Sequence, residues 1–350
     1  MQDLCRIAYE HNASDVLVKA DSPPMMKQYS VIRPLPGEWP TLTGDQVGNL
    51  LGQLMSQRQQ KIFEETHEMD LAFQVEDKCR VRTNIYRQRN APAAVCRVIP
   101  LKIRTLEELG LPPVLAEVTK HRQGLVLVTG PTGSGKTTTL AALIDIINQA
   151  RECHIVTVED PLEIVHPDKN SYVSQREVGI DTLDFQPALR AVVREAPDVI
   201  LIGEMRDVIT MNVALQAGET GHLVFSTVHT ASAYETLDRV INMFPPHEKL
   251  YLCQRMGNAL RAIVAQKLVP RIDGGRVVCN EILICTPTVT KAIEDGQFGE
   301  IYTHMNEGAF WGMQTMNQCL ARYVKAGIIA EEVALVYAGV VSELKQLLRQ

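Results

Sequence analysis

Gly124-Leu-Val-Leu-Val-Thr129 runs directly into Gly130-Pro-Thr-Gly-Ser-Gly135-Lys136-Thr137-Thr138. Leu125–Thr129 is an apolar run of strand length. The next eight match G-x-x-x-x-G-K-[ST]. The residues after them, to Gln149, are amphipathic and helix-prone. Strand, glycine-rich loop and helix in that order predict a phosphate-binding P-loop. The glycines let backbone N–H groups curve around phosphate oxygens, and the following helix N-terminus adds the positive end of its dipole. Gly130, Thr132, Gly133, Ser134, Gly135, Lys136, Thr137 and Thr138 are therefore the expected ATP contacts. Lys136 would reach the β- and γ-phosphates, and the Thr137 hydroxyl would take Mg²⁺.

Downstream, short apolar strands alternate with amphipathic helices: Thr137–Gln149, Ile155–Val158, Phe185–Glu195, Val199–Ile202. That order implies β-α-β units on a largely parallel sheet. Ligands of such sheets lie at the carboxyl ends of the strands, and two acidic groups sit there. Glu159-Asp160-Pro-Leu-Glu163 follows one strand, and Gly203-Glu204 follows another. A strand followed by a carboxylate is the Walker-B arrangement, which makes these acids, Glu204 among them, candidates for holding hydrated Mg²⁺ or polarising the attacking water. A further strand is bracketed by His222 and His229. Seven extended residues separate the two rings by roughly 23 Å, so both cannot touch one phosphate. His229, at the carboxyl end, is the better γ-phosphate sensor.

Upstream, the chain reads as mixed α and β. A helix is expected at Gln2–Glu10 and a strand at Asp15–Lys19. Thr43 and Gln46 have capping-box spacing, so a helix should run from there to about Ser56. Strands are expected at Met69–Val75, Arg80–Tyr86 and Ala94–Ile99, with a turn at Arg89-Asn90. Residues 101–113 read as a linker ending in Pro112-Pro113, where a helix should start and continue to Gly124. After about residue 285 helices dominate, the last at Glu331–Gln350. The expected division is 1–100, a linker at 101–113, an ATPase core at 114–285 and a helical region at 286–350.

The 350 residues are 45% hydrophobic and 22% charged, which excludes disorder as the main state. The net charge of −6 and the few aromatics argue against nucleic acid as a partner. No apolar run reaches the roughly 18 residues of a membrane span, and the first residues lack a signal-peptide pattern. Eight cysteines never form C-x-x-C, so no zinc ribbon is expected, and scattered thiols suit a reducing cytoplasm. Residues 78–106 hold eight Lys or Arg and no acid, a window of +8. Three readings of it stay open: nucleic-acid binding, an edge strand protected by charge, or arginines donated to a neighbouring subunit's nucleotide.

The P-loop, Thr157-Val-Glu-Asp-Pro-Leu-Glu163, Asp198–Arg206 and Gly218–His222 with Thr227-Val-His229-Thr resemble the Walker A, Asp box, Walker B and His box of secretion ATPases. Ala13-Ser-Asp15, Arg80-Val-Arg82, Ser174-Gln-Arg-Glu-Val178 and Gly312-Met-Gln-Thr315 are similar to the type IV pilus retraction ATPases of PilT and PilU type. The resemblance implies an α/β protein: a PAS-like α+β N-terminal domain, then a RecA-like P-loop ATPase domain with a helical C-terminal extension. It implies a cytoplasmic homo-hexamer that uses ATP and Mg²⁺, sits on an inner-membrane pilus platform protein, and powers pilus retraction. It gives Glu163 the role of activating water, places Glu204 near Mg²⁺, and brings Arg82 and Arg97 to the nucleotide. Glu159 and His222 join the nucleotide-binding set, and His229 the phosphate-proximal one. PilT-type members carry Ala-Ile-Arg-Asn-Leu-Ile-Arg-Glu where this chain has Thr288-Val-Thr-Lys-Ala-Ile-Glu-Asp295, without arginine. That departure points to a PilU-like accessory motor beside a second retraction ATPase. A pilus-assembly or type II secretion ATPase is the alternative, disfavoured by the missing tetracysteine site. A RecA-like DNA translocase is disfavoured by charge.

Overall fold

The computed structural model describes residues 1–29 and 31–349. It contains two compact units, Met1–Ile103 and Arg104–Gln350.

In the first unit the order is α1 (Gln2–Glu10), β1 (Asp15–Lys19), β2 (Met25–Gln28), β3 (Val31–Pro34), α2 (Gly44–Gly52), α3 (Gln57–Thr66), β4 (Glu68–Val75), β5 (Cys79–Gln88) and β6 (Ala91–Pro100). The strands form an antiparallel sheet, β3-β2-β1-β6-β5-β4. Alternation decides which face the helices cover. Val16, Val18, Val81, Ile85, Ala94 and Cys96 pack with Leu4, Ala8, Val47, Leu51 and Phe63 from α1, α2 and α3. The opposite face carries Arg82, Asn84 and Arg97. The β5–β6 turn holds Arg89 at φ 47° and Asn90 at φ 63°. Two left-handed residues give the two-residue hairpin whose twist matches its strands. The Thr43–Gln46 capping box is formed, but α2 ends at Gly52. Ser56 is instead the N-cap of α3, with Gln59 completing a second capping box, so one expected helix becomes two.

The second unit continues with α4 (Val114–Val118), β7 (Gly124–Thr129), α5 (Lys136–Ala150), β8 (His154–Glu159), β9 (Tyr172–Glu177), α6 (Phe185–Val192), β10 (Val199–Ile202), α7 (Val208–Glu219), β11 (Leu223–Val228), α8 (Ala233–Asn242), α9 (Lys249–Ala259), β12 (Leu260–Pro270), β13 (Arg276–Ile284), α10 (Pro287–Glu294), α11 (Ile301–Glu307), α12 (Met316–Lys325), α13 (Glu331–Tyr337) and α14 (Val341–Arg349). Its sheet is β13-β12-β7-β11-β10-β8-β9, parallel except for the β12–β13 hairpin. Both faces are covered, which is why the central strands are apolar throughout. Leu125, Leu127 and Val224 face one core with α6 to α10. Val126, Val128 and Phe225 face the other with α4 and α5. No helix among the described residues is long and apolar enough to cross a membrane.

Three expectations change here. The helix after Pro113 stops at Val118, where the Thr119 hydroxyl donates back to the Ala116 carbonyl at 2.7 Å. Gly124 does not cap it but opens β7 at φ +130°, because a Cβ there would lie 2.8 Å from the Ala259 carbonyl oxygen. The last helix is broken at Ala338–Val340. Buried Asn317 accepts from the Gly339 N–H and donates to the Val340 carbonyl, so the interruption keeps its backbone hydrogen bonds. Gln350, read as the end of that helix, lies outside the described residues.

Candidate active site

The phosphate loop, Gly130–Gly135, leaves the carboxyl end of β7 and enters α5 through Gly135, an N-cap at φ +89° that offers no side-chain oxygen to the helix. Gly130, at φ +142°, lies against β12: a Cβ there would stand 2.4 Å from the Gln266 carbonyl oxygen. The Gln266 side chain, fully buried, donates to the Ser134 carbonyl at 2.8 Å and accepts from the Thr139 hydroxyl at 3.0 Å. The loop is therefore braced from below before any ligand arrives. The Lys136 ammonium lies across it, donating to the Gly130 and Pro131 carbonyls at 2.9 and 3.1 Å. Burial pushes its pKa down, and Glu204 and Glu163 push it back up. Those three side chains, from α5, the end of β10 and the loop after β8, thus share one electrostatic environment.

Glu204 follows Gly203 at the carboxyl end of β10. One carboxylate oxygen pairs with Arg206, and the other meets His229 Nε2 at 3.3 Å. The Thr227 hydroxyl donates to the Gly203 carbonyl at 2.8 Å, and Met205 N–H to the Thr227 carbonyl at 3.0 Å. These bonds lock the two strand ends that carry Glu204 and His229. His229 thus reaches the Walker-B carboxylate of its own chain. His222 does not: it precedes β11, at the sheet edge opposite the loop, and its Nδ1 is 3.0 Å from the Ala217 carbonyl at the end of α7.

Glu159 ends β8 and is 6% exposed. Burial raises its carboxyl to about 7, against the pull of Thr157 and Gln175, with the Glu163 and Glu177 charges adding to the rise. It is half protonated near neutral pH and suits a hydrogen-bonding role inside the site better than that of a free anion. The folded state holds this proton more tightly than the unfolded chain. The resulting stability is complete below the ordinary carboxyl value of 4.5 and is lost as pH rises through about 7. The loss is about 3 kcal/mol. Glu159→Gln should remove that slope, so its melting temperature gains on the wild type between pH 4.5 and 7; parallel curves would show that Glu159 carries no such proton.

The residues present fit a Mg²⁺-nucleotide. The buried Ser134 and Thr129 hydroxyls have no hydrogen-bond partner, and nothing stands within 4 Å of a Cβ placed on Gly133, so the loop faces open space there. No cluster of three or more His, Cys, Asp or Glu among the described residues could hold a metal alone. Thr137 and Glu204 supply two hard oxygens, a donor set for an ion that arrives on phosphate oxygens and keeps its waters.

Arg82 and Arg97 belong to the first unit, directly opposite each other on β5 and β6. Like charges so placed repel, and only Arg97 has a described acidic partner, Asp15, at 3.3 Å. Sequence reasoning missed Gln266 and Gln175. A lone glutamine closing Leu260-Arg-Ala-Ile-Val-Ala265 was the available signal for the first; Gln175 stood inside the family-like stretch Ser174–Val178, but nothing in that polar strand marked it out from its neighbours.

A parallel sheet in the order β12-β7-β11-β10-β8, a P-loop after its first strand and acids at neighbouring strand ends define a RecA-like P-loop ATPase. A family model described as Type II/IV secretion system protein matches residues 40–334, and the chain belongs to that family. It is 44% identical to the Type IV pilus retractation ATPase PilT of Pseudomonas aeruginosa over 94% of this chain and 95% of that one. It is 37% identical to the Type IV pilus ATPase PilU of the same organism over 99% of this chain and 91% of that one. The crystal structure of the pilus retraction motor PilT with bound ADP superposes with a TM-score of 0.92 at 39% identity, covering 99% of both chains. The chain is a secretion-family ATPase of the PilT/PilU type.

Proposed function

We propose that this chain is the subunit of an ATP-driven motor that retracts type IV pili. The observation that carries the reading is the braced P-loop with Lys136 lying across it and the Glu204–His229 pair at neighbouring strand ends, in a chain matching a pilus retraction ATPase over 94% of its length. Lys136 and the loop N–H groups bind and orient the β- and γ-phosphates. Glu163 accepts the proton of the attacking water. His229, held by Glu204, stands at the strand end where the γ-phosphate is sensed. Thr137 and Glu204 would hold Mg²⁺, partly through water, and that ion neutralises charge on the phosphates when bound.

Arg82 and Arg97 are assigned to the nucleotide of a neighbouring subunit in a homo-hexamer. Arg82→Ala should cut turnover toward the ~10³-fold that a trans arginine contributes at its lower end, with the circular dichroism spectrum unchanged; a wild-type rate would end that assignment. The arginine-free stretch Thr288–Asp295 favours an accessory position beside a second retraction ATPase, both docked on an inner-membrane platform protein from the cytoplasmic side. The deciding experiment is a deletion strain. Abundant pili without twitching support retraction. Loss of pili makes the chain an assembly ATPase, and DNA-stimulated turnover would make it a translocase.

A further inference from the structure

The stretch that carries Glu163 has no regular structure: residues 162–168 connect the phosphate end of β8 to β9 without helix or strand. A free loop cannot hold a carboxylate to the fraction of an ångström that water activation needs. Leu162, buried, fixes one side of Glu163. On the other side the side-chain anchor nearest Glu163 is Gln175; farther along, Asn148 Nδ2 donates to the Pro167 carbonyl at 2.8 Å. Gln175, on β9, accepts a hydrogen bond from the His166 N–H at 2.7 Å through Oε1. Its Nε2 donates to the Ile164 carbonyl at 2.9 Å and reaches Glu159 Oε1 at 3.4 Å.

The geometry has a simple meaning. In a parallel β-ladder, one residue's N–H and C=O bond to the C=O and N–H of the residues flanking its neighbour. The Gln175 carboxamide makes that pair of bonds with residues 164 and 166, flanking Val165. It stands in for the N–H and C=O of one residue of an absent strand. The two backbone partners have opposite polarity, so each end of the carboxamide has only one acceptable orientation. His166 is itself buried, so the far anchor point does not drift. β9 pairs with β8 in register, Thr157 opposite Gln175 and Glu159 opposite Glu177. The clamp is therefore mounted on the same sheet that carries the P-loop.

We propose that Gln175 is a positioning residue of the hydrolytic reaction: its carboxamide clamps the backbone beyond Glu163 and so sets where the Glu163 carboxylate stands. The inference rests on Glu163 being the water-activating group. Asparagine is one methylene too short to span the two partners, and glutamate keeps the acceptor but loses the donor to Ile164 and repels Glu159.

The test uses the full-length chain with Gln175→Ala and Gln175→Met, the latter keeping length and volume without hydrogen bonds. The kcat for ATP should fall ~10²-fold, the cost of about an ångström of misplacement. The KM for ATP and the Kd for a fluorescent ADP analogue should stay within about twofold, because Gln175 bonds to the loop after β8 and to Glu159 and makes no bond to the P-loop. In a Glu163→Gln background, followed by single-turnover hydrolysis, Gln175→Met should add less than about twofold, since coupled residues are not additive. A wild-type kcat in Gln175→Met overturns the proposal. So do an equal loss in both backgrounds, a matching loss of nucleotide affinity, or failure of both variants to fold, each of which makes the residue merely structural. If Glu163→Gln itself turns over at the wild-type rate, the assignment of Glu163 falls and the clamp with it. If Glu163→Gln is inactive and Gln175→Met is normal, only the clamp falls.

Discussion

Lys136→Ala should abolish ATP turnover, with a loss of at least ~10³-fold. The Lys136 side chain is buried and its ammonium lies over the P-loop, so its charge acts on phosphate oxygens with little screening by water. Removing a preorganised charge of this kind costs about 4 kcal/mol of transition-state stabilisation or more. The same side chain ties the Gly130 and Pro131 carbonyls together, so nucleotide affinity should fall as well. The core cluster around Val126 and Val128 lies on the strand beneath and does not include Lys136, so the cooperative melt should persist. Undiminished hydrolysis by a folded Lys136→Ala protein would refute the site.

The second large effect has the opposite signature. Glu163→Gln keeps the side chain's size and its place between Leu162 and Ile164 but cannot take a proton. Loss of a positioned general base costs ~10²–10⁴-fold in kcat. Glu163 also contributes negative potential at Lys136, so its neutralisation removes repulsion toward an incoming polyphosphate. ATP affinity should hold or tighten while turnover collapses. A variant that loses binding and turnover together would place Glu163 among the binding groups instead.

How much of this was legible in the residues depended on the range of the interaction. The P-loop, the apolar strands and the acids after them are local patterns, and the sheet was readable from them. Asp15–Lys19 and Gln2–Glu10 appear with those bounds, because alternation and amphipathicity are set within one element. The β12–β13 hairpin was not anticipated, since its residues are apolar in runs that suit a helix as well as a buried strand. The break at Ala338–Val340 depends on Asn317, more than twenty positions away. His222 and His229 were correctly separated by strand length alone, but their partners, Ala217 and Glu204, came only with the chain folded. Gln266 and Gln175 act through contacts 132 and 9 to 16 positions distant, and no spacing rule announces them.

The tight seat of Gly130 against β12 has an evolutionary consequence. The first glycine of the phosphate motif is demanded by the protein's own packing: a Cβ would press on the Gln266 carbonyl oxygen and on Ser134 whether or not a phosphate is near. A descendant that had lost all catalysis would still be under selection to keep Gly130, simply to fold. Persistence of that glycine therefore says little about whether a relative still burns fuel, whereas drift at Lys136, which no strand requires, would be the earlier mark of a motor turned passive.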